Sequence, residues 1–143
     1  MTDIDLSSAE RIVDAALAHA ESLQLAPLTV AVLDKGGHLV CLKRQDQSGI
    51  LRADIAVAKA WGVLGMGLPS DAFLERAHML PEFFASLAAL SNGRMLPVRG
   101  GVPVRNNAGD LVGAVGISGD TSENDEACAV HGIEAAQLRT WLR

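Results

Sequence analysis

The chain has 143 residues, with 12 Lys and Arg against 17 Asp and Glu and a net charge of −5. A core of this length buries about 68–70% of the surface of the unfolded chain, so one domain over residues 1–143 is expected. The acidic balance, the lack of a basic arm and an aromatic content of 3% exclude a nucleic-acid footprint and base stacking.

The opening MTDIDLSSAERIV is acidic and lacks the basic start and apolar run of a secretory signal. No apolar run approaches the roughly 20 residues of a membrane span, so a membrane is not an expected partner. Cys41 and Cys128 are isolated thiols in different elements, which suits a reduced, cytoplasmic chain.

Ser7-Ser8-Ala9-Glu10 fits a capping box with Ser7 as acceptor, and the apolar spacing that follows predicts a helix over residues 8–24. His19 suits the C-terminal dipole of that helix. Pro27 breaks the pattern, and the β-branched run 28–33 predicts a central strand buried on both faces. Asp34-Lys35-Gly36-Gly37 turns the chain into a hairpin partner over residues 38–44, with His38 a hydrogen-bonded turn residue.

The polar connection 44–49 leads into a helix over residues 50–64, whose stripe of Ala53, Ala56, Val57, Ala60 and Leu64 suits close packing on a sheet. Lys59 interrupts apolar neighbours there, so it either reaches solvent along its stem or points a charge into a cleft. Gly65 to Pro69 ends this helix. Ser70-Asp71 caps a short helix to about Met79, and Pro81 opens another running to Leu90 before Ser91-Asn92-Gly93 stops it. Residues 94–105, with three arginines, two prolines and Gly100-Gly101, read as short strands or loop.

Residues 111–118 form a strand in which Gly113 and Gly116, with Gly119 after it, recur every third residue, and glycines there imply that something approaches the backbone. The turn Gly119-Asp120-Thr121-Ser122 then enters a helix over residues 122–142, whose acidic first turn and free amides form a plausible binding edge. The turn has no Walker lysine and the chain has no GxGxxG, so it is at best a generic anion nest and otherwise a packing device. Cys128, His131 and Glu134 lie three apart, but over six residues their direction drifts by about 120°, so no metal site is expected. Ser118 lies outside a GxSxG elbow.

Four ordered motifs resemble the GlcG/HbpS family of small haem-associated proteins. They are Val30-Ala31-Val32-Leu33-Asp34 with Gly36-Gly37-His38-Leu39-Val40; Asp54-Ile55-Ala56 with Lys59-Ala60; Gly100-Gly101-Val102-Pro103-Val104; and Val112-Gly113-Ala114-Val115-Gly116-Ile117-Ser118-Gly119 with Asp125. The resemblance implies a profilin-like α+β fold, an antiparallel sheet of about five strands with helices on both faces, in a symmetric homo-oligomer. Some relatives bind or degrade haem and others sit beside cobalamin adenosyltransferases. Many relatives read Arg-Met-Asp-Gly-Ala where this chain has Arg44-Gln45-Asp46-Gln47-Ser48, and Ser-Gly-Gly-Thr where it has Ser118-Gly119-Asp120-Thr121. These changes make the expected pocket more hydrophilic.

The leading expectation is a cytoplasmic, oligomeric binding protein. Its ligand, haem or a smaller anion, would lie against the sheet near Lys59, Gly100, Gly101, Ser118 and Thr121, with Arg44 and Asp46 at the same mouth. The alternative is an enzyme acting on a small carboxylate in organic-acid breakdown, with His131 or Asp46 moving a proton and Arg44 or Lys59 holding the anion. A purely structural subunit is the third reading. Trp61, Met66, Phe73, Phe83 and Phe84 are candidates either for an oligomer interface or for the chain's own core.

Overall fold

A computed structural model describes residues 1–67 and 70–140. In chain order the elements are α1 (Leu6–Ser22), β1 (Thr29–Asp34), β2 (Leu39–Arg44), α2 (Arg52–Met66), α3 (Ser70–Met79), α4 (Pro81–Leu90), β3 (Gly101–Arg105), β4 (Leu111–Ser118), α5 (Ser122–Ala135) and β5 (Arg139–Thr140). The hairpins β1–β2 and β3–β4 join through the β1–β4 pairing, giving one antiparallel sheet of order β2-β1-β4-β3-β5. The expected α+β architecture, five strands with helices on both faces, is what the chain adopts.

The central position of β1 and β4 explains their composition. Every residue of β1 but Asp34 and every residue of β4 but Leu111 is buried, so neither strand has the polar alternation of a one-sided sheet. On one face, α1 and α5 close a core containing Ile12, Val13, Val30, Val115, Ile117 and Ile133. On the other, α2 lies across β4, β1 and β3, with Ala60, Val63, Leu33 and Ala114 at the contact. Pro103 is tolerated in β3 because β5 pairs only with Val104 and Arg105, leaving Pro103 on an open edge.

Helix α2 approaches closely because the strands beneath it lack side chains where the backbones meet. A Cβ on Gly116 would run into the carbonyl oxygen of Ala56, and one on Gly101 into that of Lys59. The backbone approach signalled by these glycines is therefore made at Gly116 by the protein's own helix, at Gly113 by the Leu33 carbonyl of β1, and at Gly119 by the carbonyl of Pro27.

Several boundaries differ from expectation for local reasons. Helix α1 starts earlier because Asp5, not Ser7, is the N-cap, its carboxylate accepting from the Ser8 amide at 2.8 Å. It ends at Ser22 in a Schellman motif: Gln24 turns to φ 56, its amide donates to Glu21, and the Leu25 amide donates to Ala20. Helix α5 ends the same way, with Gln137 at φ 61 and the Leu138 amide donating to Ile133. The predicted helix to 142 is thus cut short at Ala135, and Arg139–Thr140 joins the sheet instead; residues 141 and 142 lie outside the described residues, as do Leu68 and Pro69 of the expected α2 stop.

Helices α3 and α4 extend beyond α2 and carry a satellite core of Phe73, Ala77, Phe84 and Met95, against which Trp61, Met66 and Leu87 pack. Gly62 of α2 makes room for it, since a Cβ there would stand 2.8 Å from the Phe73 ring. The ring is fully buried.

Candidate functional site

Several of the polar residues picked out in the sequence join a seam, with Thr29 and Arg52, at the end of the sheet where β1 starts and β4 finishes. The Arg44 guanidinium donates to the Ser48 carbonyl at 3.0 Å. The Ser48 hydroxyl meets the Thr29 hydroxyl at 2.8 Å, in full burial. Thr29 is the register partner of Ser118, whose Oγ accepts from Arg52 at 3.1 Å. One residue earlier, the Ile117 carbonyl accepts from Lys59 Nζ at 2.8 Å.

Lys59 neither reaches solvent nor faces a cleft. It is 4% exposed and its ammonium pairs with Asp125 Oδ2 at 3.2 Å, Asp125 being 1% exposed. Burial holds Lys59 below the ordinary lysine range and lifts Asp125 above the carboxylate range, while their mutual attraction opposes both shifts. Gly100, at φ 117, lies directly over this ammonium, and a Cβ there would stand 2.8 Å from Nζ. The other Asp125 oxygen accepts from the Asp120 amide at 3.1 Å.

The α5 entry is likewise occupied by the chain itself. Thr121 is the N-cap and accepts from the Asn124 amide at 3.2 Å. Asp120 accepts from the Asn124 side chain and from the Thr121 and Ala26 amides, and these bonds hold its carboxyl below the usual range. The anion nest that the turn suggested is therefore filled by an internal carboxylate.

Thus Ser118, Lys59, Gly100 and Gly101 are brought together in the interior at one end of the sheet, with Arg44 and Thr121 exposed beside them, and Lys59 does not share a mouth with Arg44 and Asp46. Those two line a hollow of about 460 Å³ with Glu21, Leu25, Pro27 and Gln45. With Glu21 and Asp46 against one arginine, it is poorly matched to an anion. His131 belongs to neither place, its ring stacking on that of His19 at 4.1 Å across the α1–α5 contact. Among the described residues no group of three or more His, Cys, Asp or Glu could hold a metal ion. Burial pushes the Cys128 thiol up to about 11, which keeps it protonated and inert.

A second concavity went unnoticed in the sequence. Between α3, α4 and the segment from Met95 to Val98 lies a groove of about 480 Å³, its floor formed by Ala77, Phe84 and Met95 of the satellite core. Leu74 and Pro97 stand in its walls, and His78 is the one polar side chain among the described residues that line it. The signal was faint: a histidine in the last turn of a short helix, followed by Pro81 and by Met95 far along the chain. Arg99 anchors the end of the 95–98 wall to α5, donating to Glu126 at 3.0 Å and Glu123 at 3.3 Å. Arg94 lies over the Trp61 ring at 4.5 Å.

The chain is similar to known proteins along most of its length. It is 28% identical over 126 residues, 88% of this chain and 87% of the relative, to an uncharacterized 15.0 kDa protein in the dhaT-dhaS intergenic region of Citrobacter freundii. Its fold matches the crystal structure of a PduOC–haem complex with a TM-score of 0.84 at 24% identity, covering 96% of this chain and 98% of that one. It matches the crystal structure of HbpS with a TM-score of 0.80 at 25% identity, covering 94% and 90%. A model of the HbpS-like haem-degrading proteins matches residues 4–134, and the chain belongs to that family.

Proposed function

We propose that this protein binds haem in the groove between α3 and α4. The observation that carries the reading is the lining: an apolar trough with a single imidazole at its wall suits a flat macrocycle with a ligand-seeking metal centre. The residues present fit the group. Phe84, Leu74 and Pro97 offer apolar contact, and Met95 and Ala77 keep water from the floor. The family and the PduOC–haem complex support the same ligand. When bound, haem supplies the redox and oxygen chemistry, and the chain's own residues hold it, orient it and limit its contact with water.

The reading also makes the protein a cytoplasmic homo-oligomer. Its support is the two free thiols, Cys41 and Cys128, and the exposed apolar groups Met79, Leu80, Phe83 and Leu90 on the α3–α4 projection. The carboxylate-enzyme alternative has weaker support, because Lys59 is committed to Asp125 and the Arg44 hollow carries two carboxylates.

Titration with haemin, followed by absorbance, tests the ligand. A saturable Soret change is expected, and Ala85→Trp, which fills the groove from its exposed wall, should abolish it. A haemin spectrum left unchanged by the wild-type protein, or a change that survives Ala85→Trp, would overturn the assignment to this groove.

A further inference from the structure

We infer that the hollow between the end of α1 and the end of β2 binds an α-amino acid with an apolar side chain, taken as its zwitterion. The site shares no lining residue with the α3–α4 groove, so the inference is independent of the haem reading. Its volume is about 460 Å³, and it brings together one cation, Arg44, and two carboxylates, Glu21 and Asp46. Although they line one hollow, these side chains form no ion pair with one another or with any other described residue. The Arg44 guanidinium is steadied through Nη1, which donates to the Ser48 carbonyl at 3.0 Å, and no described residue engages its other nitrogens. Glu21 accepts a long bond from the Gln45 side chain, 3.4 Å, and the Asp46 carboxylate has no hydrogen bond among the described residues.

Opposite charges held apart along one wall fit a molecule that carries both signs. A simple anion would face two carboxylates, and a simple cation would face the guanidinium. A zwitterion satisfies each group: its carboxylate takes the free N–H groups of Arg44, and its ammonium lies toward Glu21, where the C-terminal end of α1 adds its own negative potential. Leu25 and Pro27 supply apolar contact for the side chain. The walls are braced before any ligand arrives. The Leu28 amide donates to Gln45 Oε1 at 2.7 Å, the Gln45 amide to the Leu28 carbonyl at 2.9 Å, and the Ala26 amide to Asp120 Oδ1 at 3.0 Å.

The test titrates L-leucine into the nitrogen-labelled chain while the backbone amide resonances are followed by NMR. Isocaproate, which lacks the ammonium of leucine, and isoamylamine, which lacks its carboxylate, are titrated separately. Expected is saturable movement of the Leu25, Arg44 and Gln45 amides by L-leucine, with each analogue about tenfold weaker or more. Glu21→Gln and Arg44→Gln remove exposed charges, so both should keep the wild-type circular dichroism, and each should weaken L-leucine about tenfold or more. Amides that do not respond to L-leucine would overturn the proposal. So would an analogue that binds as tightly as L-leucine, or L-leucine binding that survives both substitutions.

Discussion

Lys59 and Asp125 come from elements 66 residues apart in the chain and meet where α2, β4 and α5 converge. Desolvation disfavours both charges, and each is tolerated because the other neutralises it and because the Ile117 carbonyl and the Asp120 amide complete their hydrogen bonding. This reverses the sequence-based expectation for Lys59: its removal should unfold the protein before it affects any ligand. Lys59→Met is expected to cost about 3–5 kcal/mol in urea denaturation by stranding the Asp125 carboxylate. Adding Asp125→Leu should recover most of that loss, whereas a single variant with an unchanged midpoint would show that the pair holds nothing together.

Between elements, the decisive contact is α2 on β4. A helix usually stands about 10 Å from a sheet, but Ala56, Ala60, Gly101 and Gly116 remove the side chains that would keep the backbones apart. Gly116→Ala would drive a methyl into the Ala56 carbonyl in a layer with no room to shift, and should destabilise by about 1–3 kcal/mol. Gly109→Ala is no control, because that glycine has a positive φ of 92; Ala108→Gly, in an exposed turn, should change stability far less. Equal losses from Gly116→Ala and Ala108→Gly would mean that close packing is not what the β4 glycine provides.

For the molecule as a whole, the large apolar residues of the middle helices divide into two groups. Phe73 and Phe84 complete the chain's own satellite core with Trp61 and Met66 packed against it, so four of the five interface candidates are used internally. Phe83 is 53% exposed, and Met79, Leu80 and Leu90 are exposed around the same projection. Glu82 is the sole charged residue of α4, so two copies meeting there would bring few like charges together despite the net charge of −5. Light scattering at micromolar concentration should give a multiple of 15.0 kDa for the wild type and a shift towards 15.0 kDa for Phe83→Glu. A wild-type particle already at 15.0 kDa would remove the interface.

Sequence alone determined most of the elements, because those depend on local periodicity and turn chemistry, although it read β5 as the end of the last helix. The Pro81 start and Ser91-Asn92-Gly93 stop of α4, the Gly-bearing hairpin turn after Asp34 and the apolar run of β1 were all legible. It also picked out Arg44, Lys59 and Ser118 of the seam, but not Thr29 or Arg52, which join it only through contacts made on folding. Tertiary structure decided what those residues do. Whether Lys59 meets solvent, a ligand or a carboxylate depends on Asp125, 66 positions away, and no local pattern encodes that distance. The groove was hidden for the same reason: His78, Phe84 and Met95 become one lining only after α3 and α4 fold back over Gly62 and Trp61. A cavity is a property of several segments together, set by where packing stops, and composition records only what is available to fill it.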